Sequence, residues 1–163
     1  MLRLVLELEG ILNELIAEHE RLLKHLLTQQ IAMKGFDLKA MDATANFQEA
    51  SRLRIGRLEA KRRLIVSQIS RAQNARADMT IAEIAELIPQ HGDVLLRQRS
   101  TLKDLIQQVS TRAQVAGKLA VAVLGHLNTI VRLLAGAVEK AGLYTKHGVP
   151  QVSSRIGVME AVG

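Results

Sequence analysis

The residues that could do chemistry are five histidines, His19, His25, His91, His126 and His147, with the acids around them. A zinc or di-iron site built on helices needs ligands one turn apart, as His-x-x-x-His or Glu-x-x-His, so that both reach the same ion. Neither spacing occurs. The chain holds no cysteine, which removes thiolate nucleophiles, thiolate-zinc sites and disulfides. Ser153-Ser154 has no base near it in sequence. Glycine-rich phosphate loops follow a strand, and no β-branched alternation bounded by turns is present to supply one. The expectation is no enzyme, no cofactor and no metal. His126 lies in an apolar stretch and is expected to be a partly buried core or interface histidine.

The elements that carry these residues are long helices. From Asp93 to Ala141 there is no proline, and apolar residues recur at heptad spacing. One register reads Leu102, Val109, Ala116, Val123, Ile130, Ala137, and the other Leu105, Ala113, Ala120, Leu127, Leu134. A seam kept for about five heptads predicts a long helix packed on other long helices. Asp93 is its expected N-cap, and Gly142 its C′ residue. A first helix is predicted over about residues 2–34 on a stripe of Leu8, Leu12, Leu15, Leu22 and Leu26, widened by Ile11, Leu23 and Leu27. Gly35 is its expected C′ residue, and Asp37 caps a second helix to about Ala77. That helix carries Leu38, Met41, Ala45, Leu53, Ile55, Leu58, Ile65 and Ile69. Thr80-Ile81-Ala82-Glu83 is a capping box that starts a short helix ending at Ile88, before Pro89.

Of 163 residues, 48% are hydrophobic but only 2% aromatic, so the core is aliphatic, as suits a helical bundle. The expected fold is all-α: an elongated antiparallel bundle of three long helices with one short connecting helix and a C-terminal tail. Residues 1–142 form the bundle, and 143–163 a flexible or fold-on-binding tail. Glutamates interrupt the N-terminal apolar stretch, unlike a secretory signal. The apolar window Leu119–Val131 is flanked by Lys118 and Arg132 and falls short of the ~20 residues of a membrane span. A soluble, cytoplasmic protein is expected.

The net charge is +6, and the excess is local. Arg52, Arg54, Arg57, Lys61, Arg62, Arg63, Arg71 and Arg76 face only Glu59 between residues 50 and 76. In an antiparallel hairpin turning near Gly35–Phe36, residue i lies roughly opposite 73 − i, as flanking charges do in coiled coils. Glu7, Glu9, Glu14, Glu18 and Glu20 then come opposite Arg54, Arg57, Lys61, Arg62 and Arg63. The basic run therefore has three readings: internal pairing, an acidic protein partner, or nucleic acid. The last lacks the aromatic platforms of single-strand binders, and no helix-turn-helix or zinc motif is present.

Gly117, Gly125 and Gly136, with Ala116, Ala120, Ala122, Ala135 and Ala137, give the third long helix a small-residue surface. It predicts close helix–helix approach within the bundle, or alternatively a shallow groove or dimer face. Residues 119–138 are apolar around much of the circumference, more than a three-helix bundle covers, which leaves a partner surface. In the tail, Val149, Val152, Ile156, Met159 and Val162 form an amphipathic stripe, weakened as a free helix by Pro150 and Gly157. It either folds on meeting a groove or folds back on its own bundle.

The chain resembles the FlgN family of flagellar type III export chaperones. The residues that carry the likeness are His19-Glu20-Arg21-Leu22-Leu23-Lys24-His25-Leu26-Leu27, Phe36-Asp37-Leu38, Arg57-Leu58-Glu59-Ala60-Lys61-Arg62-Arg63, His126-Leu127-Asn128, and Ala141-Gly142-Leu143-Tyr144-Thr145-Lys146-His147-Gly148. The resemblance implies a cytoplasmic helical chaperone that holds hook–filament junction proteins unassembled and presents them at the membrane export gate. It implies that Val149, Val152, Ile156 and Met159, with Leu127 and Leu134, face the substrate protein. It also implies that Tyr144, the one tyrosine, docks at the gate. One departure is charge: such chaperones are usually acidic, whereas this chain has a pI near 10.1. Two other readings compete, a structural coiled-coil protein that self-associates through the third long helix and a basic nucleic-acid-binding helical module.

Overall fold

The computed structural model describes residues 1–75 and 77–140, with side chains through Ala137. All regular structure among them is helical: α1 (Leu2–Lys34), α2 (Leu38–Ala72), α3 (Ile81–Leu87) and α4 (Pro89–Lys140). Backbone contacts divide the chain into one unit, Met1–Ala120, and a second, Val121–Gly163.

In the first unit, α1 buries Val5, Leu8, Leu12, Leu15, His19, Leu22, Leu26, Gln30 and Met33, a row of three- and four-residue steps that holds the expected stripe. Leu27 is exposed instead of widening it. Ile11, Glu18 and Ala32 add a second buried row, so α1 is covered on two sides. α2 repeats every seven residues: Thr44, Ser51, Leu58 and Ile65 are buried, followed by Ile69. This corrects the expected stripe, because Leu38, Ala45 and Leu53 are exposed. The seam passes through small polar residues, which lie buried because each hydroxyl finds a partner. Thr44 Oγ1 donates to the Ala40 and Met41 carbonyls at 2.8 and 2.9 Å. Ser70 Oγ donates to the Val66 carbonyl at 2.9 Å and accepts from the Met79 amide at 2.8 Å.

The hairpin turn differs from expectation in one residue. Gly35 keeps helical angles (φ −88°), and Phe36 takes the left-handed position at φ 53°. The Phe36 amide donates to the Met33 carbonyl at 3.3 Å and the Asp37 amide to the Ala32 carbonyl at 2.9 Å. This is a Schellman closure with Phe36 where glycine usually stands. Asp37 Oδ1 then accepts from the Ala40 amide at 2.9 Å and caps α2, as expected. α2 ends at Ala72, short of the expected Ala77, because Asn74 adopts φ 52° and Ala75 closes a second such turn on the Ser70 carbonyl at 2.9 Å. Asparagine tolerates this conformation better than most residues.

Helix α3 opens with the expected capping box: the Glu83 amide donates to Thr80 Oγ1 at 3.2 Å, and the Thr80 amide to Glu83 Oε2 at 2.6 Å. α4 starts at Pro89, so Asp93 lies inside the helix and is not its N-cap. Proline suits a first helical position because its missing amide donor is not needed there. Only Ile88 separates the two helices, and Gly92 makes that corner possible. A Cβ on Gly92 would lie 2.8 Å from the Ala85 carbonyl oxygen.

α1 and α2 run antiparallel, close to the expected register: Arg54 meets Glu18, Gln48 meets Gln29, and Phe47 stacks on His25 at 5.1 Å. α4 up to Ala120 runs parallel to α1. Gln98 Nε2 donates to the Glu9 carbonyl at 3.1 Å and to Asn13 Oδ1 at 2.8 Å, and Gln30 Nε2 donates to the Arg112 carbonyl at 3.1 Å. The bundle is therefore up-down-up. Its main core joins Val5, Leu8, Leu12 and Leu15 to Leu58, Ile65 and Ile69, and to Ile84, Leu95 and Leu102. A smaller cluster holds Leu22, Leu26 and Ala116.

Candidate partner-binding surface

α4 buries Leu95, Gln98, Leu102, Leu105 and Ala116, with Val109 half-buried. Ala113, expected in the seam, is exposed, and the next buried residue after half-buried Val109 is Ala116. In the second unit, Val123 is buried and Leu127 half-buried, but the expected seam residues Ile130, Leu134 and Ala137 are exposed. The apolar pattern continues where the burial does not. Val121, Leu124, Val131, Leu133 and Leu134 are each between 61 and 71% exposed, far above what a core position shows. Val121, Leu124, Leu127, Val131 and Leu134 share one side of the helix at 100° per residue. Contiguous exposed apolar surface of this kind marks an interaction site.

His126 is exposed, which corrects the expectation of a partly buried histidine. The small-residue surface is not a close helix contact either. A Cβ on Gly117, Gly125 or Gly136 would meet nothing within 4 Å. The Pro89–Ala137 stretch of α4 contains an 18-residue window that is, by length and composition alone, apolar enough to cross a membrane, and 6% of that window is buried. The sequence expectation differed because it bounded the window by Lys118 and Arg132, and a single arginine does not end such a stretch. Of the sequence-predicted site residues, Leu127 and Leu134 lie seven residues apart on this face. Tyr144, Val149, Val152, Ile156 and Met159 lie outside the described residues, as does the expected cap at Gly142.

A second surface lies in the first unit, where α1 meets α2. A cleft of about 400 Å³ is lined by Glu14, Ala17, Glu18, Arg21, Arg54, Arg57, Leu58 and Lys61. Arg54 Nε lies 3.1 Å from Glu18 Oε1, and Arg21 bonds the same oxygen. Burial pushes the Glu18 carboxyl up, but the hydrogen bond and charge of Arg54, with Arg21, outweigh it and hold the group below the usual carboxylate range. Glu18 Oε2 is buried without a hydrogen-bond partner. Among the described residues, Glu18–Arg54 is the one salt bridge of those expected across the hairpin. Arg52 and Arg62 pair within α2, with Glu49 and Glu59, and Glu9 turns to His91 Nδ1 at 2.8 Å. Internal pairing thus accounts for part of the basic run, and Arg57, Lys61 and Arg63 are exposed. No cluster of three potential metal ligands occurs among the described residues.

No curated protein and no solved structure matches the chain. The family model described as FlgN protein matches residues 1–151, nearly the whole chain, and the protein belongs to the FlgN family, which points to a flagellar export chaperone role.

Proposed function

We propose that the protein is a cytoplasmic chaperone that binds hook–filament junction proteins, prevents their premature assembly and delivers them to the type III export gate. The observation that carries this reading is the apolar side of α4 between Val121 and Leu134, uncovered in a chain of this family. The mechanism needs no chemistry. An unassembled junction protein exposes an apolar helical segment that aggregates or polymerises early. Leu127 and Leu134, joined by Val149, Val152, Ile156 and Met159, cover that segment. Each Å² of apolar surface removed from water contributes roughly 25 cal/mol. Ordering and association costs offset much of the gain, leaving a reversible complex that can be surrendered at the gate. Tyr144, which lies in the sequence between Lys140 and Val149, is the docking residue there.

Calorimetric titration of the hook–filament junction protein from the same genome tests the reading. Saturable binding to the full-length protein is expected, and its loss in a chain ending at Gly142 would assign the tail residues. Absence of binding to the full-length chain would refute the client, and elution as a stable oligomer would point instead to self-association through α4.

A further inference from the structure

We propose that the α4 face between Val121 and Leu134 docks reversibly on an anionic lipid surface, with the helix lying in the plane of the headgroups. Within Pro89–Ala137, an 18-residue window has mean hydropathy 1.6 and is only 6% buried. Charge chooses the occupant of that uncovered face. Between Asp104 and Glu139 the chain has no acidic residue, although it holds 16 in all. The charged residues of that run are Arg112, Lys118 and Arg132, all of them exposed. Where helices of this chain pack on one another, both signs are present: Glu18 meets Arg54, and Glu9 meets His91. An apolar face whose only charged neighbours are cations complements an anionic bilayer. Each Lys or Arg near such a surface adds to the attraction, and a carboxylate there would be repelled.

The distribution around the helix says how it lies. At ~100° per residue, Leu124, Leu127 and Leu134 fall within about 60° of Val131, and Val121 within about 80°. Arg132 falls about 100° from Val131, and His126, Gly136 and Thr129 about 140–160° from it. Leu133 is the one large apolar residue on that far side. A helix crossing the bilayer would put Arg132 and His126 into hydrocarbon. A helix in the interface sinks Leu124, Leu127 and Val131 and leaves Arg132 at headgroup level, where its stem lies along the apolar boundary. The proposal does not rest on the client reading, and its test contains no client, so either can fail alone.

The chain has no cysteine, so a single introduced one carries a fluorophore without background. Leu124→Cys and Thr129→Cys, labelled with an environment-sensitive nitrobenzoxadiazole dye in the full-length protein, place a probe on each side of the helix. With mixed phosphatidylglycerol–phosphatidylcholine vesicles, we expect the Leu124→Cys probe to brighten and shift to the blue, and the Thr129→Cys probe to change little. Pure phosphatidylcholine should require about tenfold more lipid for the same response. Lys118→Glu/Arg132→Glu should raise the anionic lipid required by about tenfold at unchanged circular dichroism. Arg57→Glu/Arg63→Glu, which shifts the net charge equally from α2, should raise it far less. Equal losses from the two charge reversals would overturn the proposal by showing attraction to net charge alone. Equal responses of the two probes would overturn it by showing that no one side meets the lipid. A blue-shifted Leu124→Cys probe before vesicles are added would overturn it in favour of a protein occupant, and no response to anionic vesicles would overturn it outright.

Discussion

Arg54 of α2 reaches across the hairpin to a carboxylate that α1 keeps almost out of water: its Nε lies 3.1 Å from Glu18 Oε1, and the Glu18 side chain is 7% exposed. The pair fixes the register of the two helices near the middle of α1. Removing one partner strands the other, which is the costly way to break a buried pair. Arg54→Met should destabilise the protein by about 1–3 kcal/mol, less than a fully buried pair because Arg54 is half exposed and Arg21 remains. The double variant Glu18→Leu/Arg54→Met should recover most of that loss. Urea unfolding of the three proteins checks both, and an unchanged midpoint for Arg54→Met would show the pair to be idle.

The same pair sets an acid dependence. Glu18 is held below its ordinary value of 4.5 in the folded chain, so the folded state resists protonation more than the unfolded chain does. Its stabilisation is fully present above that ordinary value and is lost as pH falls through the lower folded value. Glu83 is also lowered, chiefly by the Thr80 amide, so the α3 capping box weakens in the same acidic window. Stability followed from pH 7 down to about pH 3 should fall more for the wild type than for Glu18→Gln. Parallel curves would contradict the assignment.

Glycines inside α4 should respond oppositely to alanine. A Cβ on Gly92 would lie 2.8 Å from a backbone oxygen of α3, and backbone cannot swing aside. Gly92→Ala should cost about 1–3 kcal/mol, as overpacking does. Gly117 and Gly125 face open space, so alanine there should stabilise by up to ~1 kcal/mol from helix propensity alone. Thermal melts of the three single variants give the signs directly.

Much of the fold was legible because the long helices repeat apolar residues at 3.5 spacing. α1 ends within its expected bounds, and the Thr80–Glu83 box marks α3. What was missed has local causes. The α2 seam runs through Thr44 and Ser51, whose hydroxyls are satisfied by nearby groups, so a search for aliphatic residues picked exposed Leu38 and Leu53 instead. Asp93 has the residue type of an N-cap and sets the expected α4 start, whereas the helix begins at Pro89 and Gly92 serves a tight approach to Ala85. At the surface, leucines at heptad positions look identical whether a neighbour covers them or not. Composition predicted an excess of apolar area on α4, but only coordinates separate buried Val123 from exposed Leu134.

Phe36 carries a left-handed backbone that costs an L-residue roughly 1–2 kcal/mol, and half of its side chain is in water. Phe36→Gly should therefore stabilise the hairpin by about 0.5–1 kcal/mol, since relief of strain exceeds the loss of a half-exposed contact and the added chain entropy. A lower melting temperature would mean instead that the ring contributes more packing than the turn costs.

Leu134 and Leu15 separate binding from folding. Leu15 has no exposed surface, and its replacement by alanine should cost 2–5 kcal/mol as a core cavity. Leu134 is 61% exposed, so Leu134→Asp should change folding stability by less than about 0.5 kcal/mol. The same variant places a carboxylate in the apolar face, where an arriving segment would have to desolvate it. Affinity for the junction protein should then fall at least ~10-fold, about 1.4 kcal/mol, at unchanged unfolding midpoint. Loss of both properties together would show Leu134 to be structural, and loss of neither would place the client elsewhere on the chain.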